Sequence, residues 1–325
     1  MRRHLTIVLL FLLLAALMLA GNTWCGVVDG QSDANHFTVS MLFPDGSLVP
    51  FAEFREGRWL NPWPKPESAS DEEPNTVSNL PKPWFAQGKR PSSTWYYWSP
   101  DGEPHALKAG KVVKVNTHCQ TAWGLQSDLN RGPDGGPLRP AVGVALDVKR
   151  QVSPMTEVSN TSDDWKSFLA YIRPAFGREE EARFAELSTF LAPPPGDERK
   201  KINVTLSHVY RSSAEIGGRY LYYFEAQKDY AKPIPTNDQS CNNVFFRGWG
   251  TAGPQGDLSL LGTQVGWTDC DRKQEAGRVP LATLSVGGRV FVITYDPAYE
   301  GESYSVLEWT ESGVRLVLDT QGGSC

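Results

Sequence analysis

The stretch "GWTDCDRK" sets Asp269 and Asp271 on either side of Cys270. On an extended chain the two carboxylates share one face, roughly 7 Å apart at Cα, and the thiol points the other way. Two acids at such a span could serve glycoside hydrolysis. Acid–base chemistry, however, normally draws its pair from different strands, so that the acids flank the substrate. Glu225 in "RYLYYFEA" and Glu302 in "GESYSV" complete the candidate catalytic set. A calcium loop of the EF-hand type fails because Gln274 stands where its glycine belongs. The simplest reading of Asp269 and Asp271 is hydrophilic flanks to a structural cysteine. No metal site is expected.

Cys270 has a natural partner. The segments "CNNVFFRGWG" and "TQVGWTDC" can run back alongside each other, which brings Cys241 toward Cys270. Closing a loop of that size contributes about 3–4 kcal/mol in the chain-entropy model. The remaining cysteines are Cys25, Cys119 and Cys325; Cys119 is either a buried thiol or a partner of one of the other two. No C-x-x-C, H-E-x-x-H or G-x-S-x-G occurs. His118 and Cys119 are adjacent and would point apart on a strand, so they form no nucleophile pair. His208 falls on the apolar side of "INVTLSHVY" and reads as a hydrogen-bonded core histidine. "GWGTAG", residues 248–253, matches a dinucleotide fingerprint in letters only. Pro254 and Gly256 follow, no helical pattern develops, and a glycine-rich turn with no cofactor is the expectation.

Tryptophan is over-represented, with eleven in 325 residues. Trp59, Trp63, Trp84, Trp95 and Trp98 fall close together. Exposed indoles among polar groups grip sugars or Pro-rich peptides, which makes Trp63, Trp84, Trp95 and Trp98 the candidate binding residues. Packing of these rings against the neighbouring prolines is the simpler alternative.

The elements that must position these residues begin with an export segment. Arg2, Arg3 and His4 precede "LTIVLLFLLLAALMLAG", the pattern of a signal peptide or an N-terminal anchor over residues 1–21. The body is therefore expected outside the cytosol, whether periplasmic, secreted or anchored, with membrane contact only through that segment if it is retained. In that compartment cysteines favour disulfides. A net charge of −5 without a basic run leaves no positive face for nucleic acid. Two sequons, at Asn160 and Asn203, matter only on a glycosylating route.

Alternating segments separated by turns make the chain mainly β, an antiparallel sheet or sandwich-like meander with a small helical insertion at about 163–191. "FPDGS" and "SPDGE" are Pro-Asp-Gly turns, and Gly287-Gly288 and Ser312-Gly313 are hairpin turns within a meander spanning 281–318. "DDWKSFLAYI" is a helix capped at Ser162 or Asp163, interrupted at Pro174 and Gly177, with "REEEARFAELSTFL" as a second helix. The organisation is a β-rich part over 33–150 with a Pro-rich acidic loop at 61–83, a helical connector over 151–200, and a β-rich part over 201–325. Function is expected to be that of an extracytoplasmic binding or interaction module, with carbohydrate or a Pro-rich peptide as ligand classes. An exported hydrolase with paired carboxylates and a structural envelope component are the alternatives. The absence of a catalytic motif weighs against an enzyme.

Overall fold

The computed structural model describes residues 36–63, 67–68, 94–117, 120–129, 143–184, 195–213, 215–230, 243–253, 256–268 and 277–325. Asp269, Asp271, Trp84, Cys119, Cys241 and Cys270 lie outside the described residues, as do residues 1–21, where an export segment is expected, and most of the Pro-rich loop. The described chain is dominated by antiparallel strands, as the alternation predicts.

Strands β1 (His36–Leu42), β2 (Ser47–Arg55), β3 (Arg58–Leu60), β4 (Glu67–Ser68), β5 (Thr94–Trp98), β6 (Pro104–Thr117), β7 (Gln120–Ser127) and β8 (Gly143–Leu146) form the first sheet. Its order is β3-β2-β1-β8-β5-β6-β7-β4, and a further pairing of β2 with β7 closes six of the strands into a barrel. The seam is short, with Ser47 opposite Gln126 and Leu48 opposite Leu125. It depends on Gly124, where a Cβ would stand 2.6 Å from the Leu48 carbonyl oxygen and 2.7 Å from a Val115 methyl. Inward-facing Leu42, Leu48, Trp95, Leu107, Leu125 and Ala145 fill the barrel. Each large aliphatic side chain there contributes about 1.5–3 kcal/mol through burial, and together they pack the interior.

Strands β9 (Val152–Glu157), β10 (Thr205–Ser212), β11 (Tyr220–Asp229), β12 (Asn243–Ala252), β13 (Leu258–Thr268), β14 (Val279–Val286), β15 (Arg289–Ala298), β16 (Gly301–Thr310) and β17 (Gly313–Ser324) form the second sheet. Its order, β13-β12-β11-β10-β9-β14-β15-β16-β17, is two meanders sharing β9. The expected hairpins are present, and Gly287 and Gly288 carry the positive φ their two-residue turn requires. The sheet curls until β13 and β17 approach near Leu261 and Gly313, but these edges do not pair. The result is a half-barrel.

One face of the second sheet packs on the outside of the barrel, and Phe37, Phe54, Trp59 and Phe291 interlock there edge to face or offset. The outer face of β10–β13 carries helix α1 (Asp163–Arg183); the four-residue helix α2 (Gly196–Arg199) follows. Ser162 caps α1 by accepting a hydrogen bond from the Trp165 N–H. Contrary to the expected interruption, α1 runs unbroken through Pro174 and Gly177. Burial of Ile172, Ala175 and Phe176 against Phe224 and Phe246 offsets the roughly 3 kcal/mol that an internal proline costs. Lys228 and Tyr230 both donate to the buried Glu180 carboxylate and fasten the helix to the sheet. Among the described residues no helix is long and apolar enough to cross a membrane.

Two further expectations change. "GWGTAG" is no turn; residues 248–252 belong to β12, and a Cβ on Gly248 would meet the Gly262 carbonyl oxygen at 2.3 Å. The glycine therefore serves a close backbone approach between strands. His208 is hydrogen-bonded, to Glu157 at 2.8 Å, but it is exposed rather than core. A register shift between Leu206 and His208 breaks the alternation on which the core reading rested.

Candidate functional site

The concave face of the half-barrel encloses a cavity of about 620 Å³, within the ordinary range for small-molecule sites. Strand alternation builds it. On β11, Leu221, Tyr223 and Glu225 face inward while Tyr222, Phe224 and Ala226 face α1. On β16, Ser303 and Ser305 face the cavity while Tyr304 and Val306 face the barrel. Tyr223 and Trp249 form an aromatic floor, their rings 4.9 Å apart. Leu261, Val314 and Leu316 supply an aliphatic side, and Leu316 is 58% exposed.

A continuous polar network lies along this wall. The Tyr223 hydroxyl donates to Glu225 Oε1 at 2.6 Å, and the Arg278 backbone N–H donates to the same oxygen at 3.1 Å. The Arg278 guanidinium grips Asp296 with two bonds, Nε to Oδ1 at 2.8 Å and Nη2 to Oδ2 at 2.9 Å. Ser305 Oγ stands 2.9 Å from Asp296 Oδ2 and 2.9 Å from Asp319 Oδ1. A hydroxyl has one proton, so Ser305 serves one carboxylate at a time. Across the cavity, Arg247 Nε donates to Gln264 Oε1 at 3.1 Å.

Burial opposes the Arg278 charge, but its pairing with Asp296 outweighs that and holds the guanidinium above its ordinary pKa. Burial, reinforced by the adjacent Glu225 carboxylate, pushes the Tyr223 phenol well above its usual range. Arg278 is thus held charged and Tyr223 neutral, within a preorganised array of donors and acceptors.

The candidate residues named from sequence fall in different places. Glu225 joins the cavity network. Glu302 faces the barrel instead, buried, where the Tyr295 and Tyr304 hydroxyls donate to it at 2.9 and 2.8 Å. The two glutamates therefore do not form a pair. Trp95 is 2% exposed inside the barrel and Trp98 is 9% exposed in the core between barrel and half-barrel, so neither offers a ring face to a ligand. Trp63 is half-buried against the barrel core. Burial of Trp95 and Trp98 and packing of Trp63 against the barrel core account for these three rings.

Ser99, Asp101 and His105 meet at the turn between β5 and β6. His105 Nε2 lies 3.1 Å from Ser99 Oγ, and Asp101 hydrogen-bonds the serine. Because the acid engages the serine and not the imidazole, this is a turn network and lacks the relay of a nucleophile triad. Among the described residues no three His, Cys, Asp or Glu side chains converge as a metal site.

Arg278, Asp296, Ser305, Asp319 and Trp249 escaped the reading of the sequence. A faint signal exists in "GESYSVLEW", where small polar Ser303 and Ser305 alternate with Tyr304 and Val306 and so mark a wet face opposite a packed one. No protein-family model, characterised protein or solved structure shows significant similarity to the chain.

Proposed function

We propose that the chain is an extracytoplasmic binding module whose ligand site is the half-barrel cavity. The observation that carries this reading is a hollow of about 620 Å³ lined by a ready-made hydrogen-bonding network, beside a barrel of similar construction that is filled with side chains. The Asp296–Ser305–Asp319 arrangement supports binding over hydrolysis. The Ser305 hydroxyl stands between the two acids, in the place a substrate's scissile bond would take between the carboxylates of a glycosidase. Asp296 is also committed to Arg278 at both oxygens, which removes it from proton transfer.

The basic and apolar N-terminus supports export. Strand register supports the Cys241–Cys270 staple: Asn243 pairs with Thr268, Val244 with Trp267 and Phe245 with Gly266.

The experiment is a protein-observed NMR screen of small neutral polar fragments against the wild-type chain and Gly262→Trp. Gly262 lines the cavity, pairs with Trp249, and has open space around its Cβ position. The expected result is shifts clustered at Trp249, Tyr223 and Gly248 that Gly262→Trp abolishes. Shifts confined to the barrel surface, or unchanged in the variant, would overturn the reading.

A further inference from the structure

We infer that the cavity's ligand is a neutral saccharide, an inference that rests on the cavity being the binding site. Formal charges on the lining balance: Arg247 and Arg278 against Asp296 and Asp319. Arg278 is already satisfied by two bonds to Asp296. A charged ligand taken from water into such a site would need a compensating charge; the Arg278–Asp296 pair is closed on itself, and the remaining Arg247 and Asp319 are of opposite sign, so the lining as a whole favours neither an anion nor a cation.

A polyhydroxylated ring meets the opposite requirement. Each sugar hydroxyl both donates and accepts, and the wall presents the two roles side by side. Asp319 Oδ2 has acceptor capacity beyond the Ser305 contact at Oδ1. The Nη1 of Arg278 takes no part in the grip on Asp296. Ser303 and Ser312 add hydroxyls. Bonds from ionised groups to hydroxyls are the stronger kind, and here the ions are held in place before a ligand arrives. The C–H faces of a pyranose fit the Tyr223–Trp249 floor and the Leu261, Val314 and Leu316 side. Gly248, Gly262, Gly277 and Gly313 line the same space and leave room for a ring against the strand backbones.

The test is calorimetric titration with short unbranched oligomers of glucose, mannose, galactose and N-acetylglucosamine. Glycylglycine, a zwitterion, and inorganic phosphate, an anion, serve as the probes that carry formal charges. Wild type, Gly262→Trp and Asp319→Ala are compared. Asp319 is exposed and makes one side-chain bond, so its removal leaves folding intact, which a thermal melt verifies. At least one oligosaccharide series is expected to bind, with loss in Gly262→Trp and about tenfold weakening in Asp319→Ala. Binding of the dipeptide or phosphate in place of every sugar, again abolished by Gly262→Trp, would overturn the saccharide inference and leave the cavity reading standing. Sugar binding that Gly262→Trp does not affect would overturn both. No binding by any sugar, while neutral non-sugar fragments still shift Trp249, would overturn the saccharide inference alone.

Discussion

The N-terminal barrel and the C-terminal half-barrel are made from the same antiparallel hairpins, yet one is solid and the other hollow. The difference lies at the seam. In the barrel, β2 and β7 pair because Gly124 lets the Leu48 backbone come close, and the enclosed space is taken by Trp95 and five aliphatic side chains. In the half-barrel, β13 and β17 nearly meet at Leu261 and Gly313 and then remain apart. Their cavity-lining positions include small or polar Gly262, Gln264, Gly313 and Asp319 beside Leu261, Val314 and Leu316. Sheets that close remove their edges. A sheet that stops short of closing keeps a mouth, and small or polar inward residues keep the space behind it empty. The hollow is built by strand alternation as deliberately as the core is.

That comparison can be broken by mutation. The largest effect is expected for Trp95→Ala, which empties the barrel and should cost about 3–5 kcal/mol, measured by chemical denaturation. A loss below about 1 kcal/mol would mean the barrel interior is not a packed core. Gly124→Ala should cost about 1–3 kcal/mol by forcing the seam apart. Hydrogen exchange should show β2 and β7 losing protection together while β13 and β17 are unchanged.

A third test concerns the bond between the two halves. Glu308 accepts from Arg289 and Arg315, and Arg289 also donates to the Gly57 carbonyl oxygen of the barrel at 3.0 Å. The hydrogen bond from Arg289, helped by Arg315, lowers the Glu308 pKa from 4.5 to about 2. A depressed carboxylate stabilises the fold fully above its unfolded value, and that contribution is lost as pH falls from about 4.5 toward 2. Glu308→Gln should therefore lower stability by about 2 kcal/mol at neutral pH and flatten the acid limb of the pH–stability curve in that window. An unaltered acid limb would remove Glu308 from the account. The smallest effect is expected for Gly262→Trp, within about 0.5 kcal/mol of wild type, because the indole enters space that is already empty. A loss of several kcal/mol there would contradict the hollow.

Local structure was largely legible in the sequence. Gly287-Gly288, Ser312-Gly313 and both Pro-Asp-Gly turns announce their hairpins, and Ser162 with Asp163 announces α1. Features that depend on distant partners were not. The β2–β7 seam joins Leu48 to Leu125 across much of the first sheet, and no local pattern encodes it. Pro174 reads as a helix end until Ile172 and Phe176 are seen buried on the sheet. His208 misleads because a single register shift moves it to the wet side. Of the cavity network only Glu225 was singled out in advance. Arg278, Asp296, Ser305 and Asp319 come from four separate segments, and each alone resembles an ordinary surface residue.

The most direct test of the hollow as a binding site is a crystal structure of the wild-type protein soaked with the neutral fragments. Ordered fragment density bounded by Trp249, Arg278 and Asp319, with none inside the six-stranded barrel, is the expected result. Fragments ordered only on outer surfaces, with the half-barrel mouth shut by direct β13–β17 pairing, would contradict it.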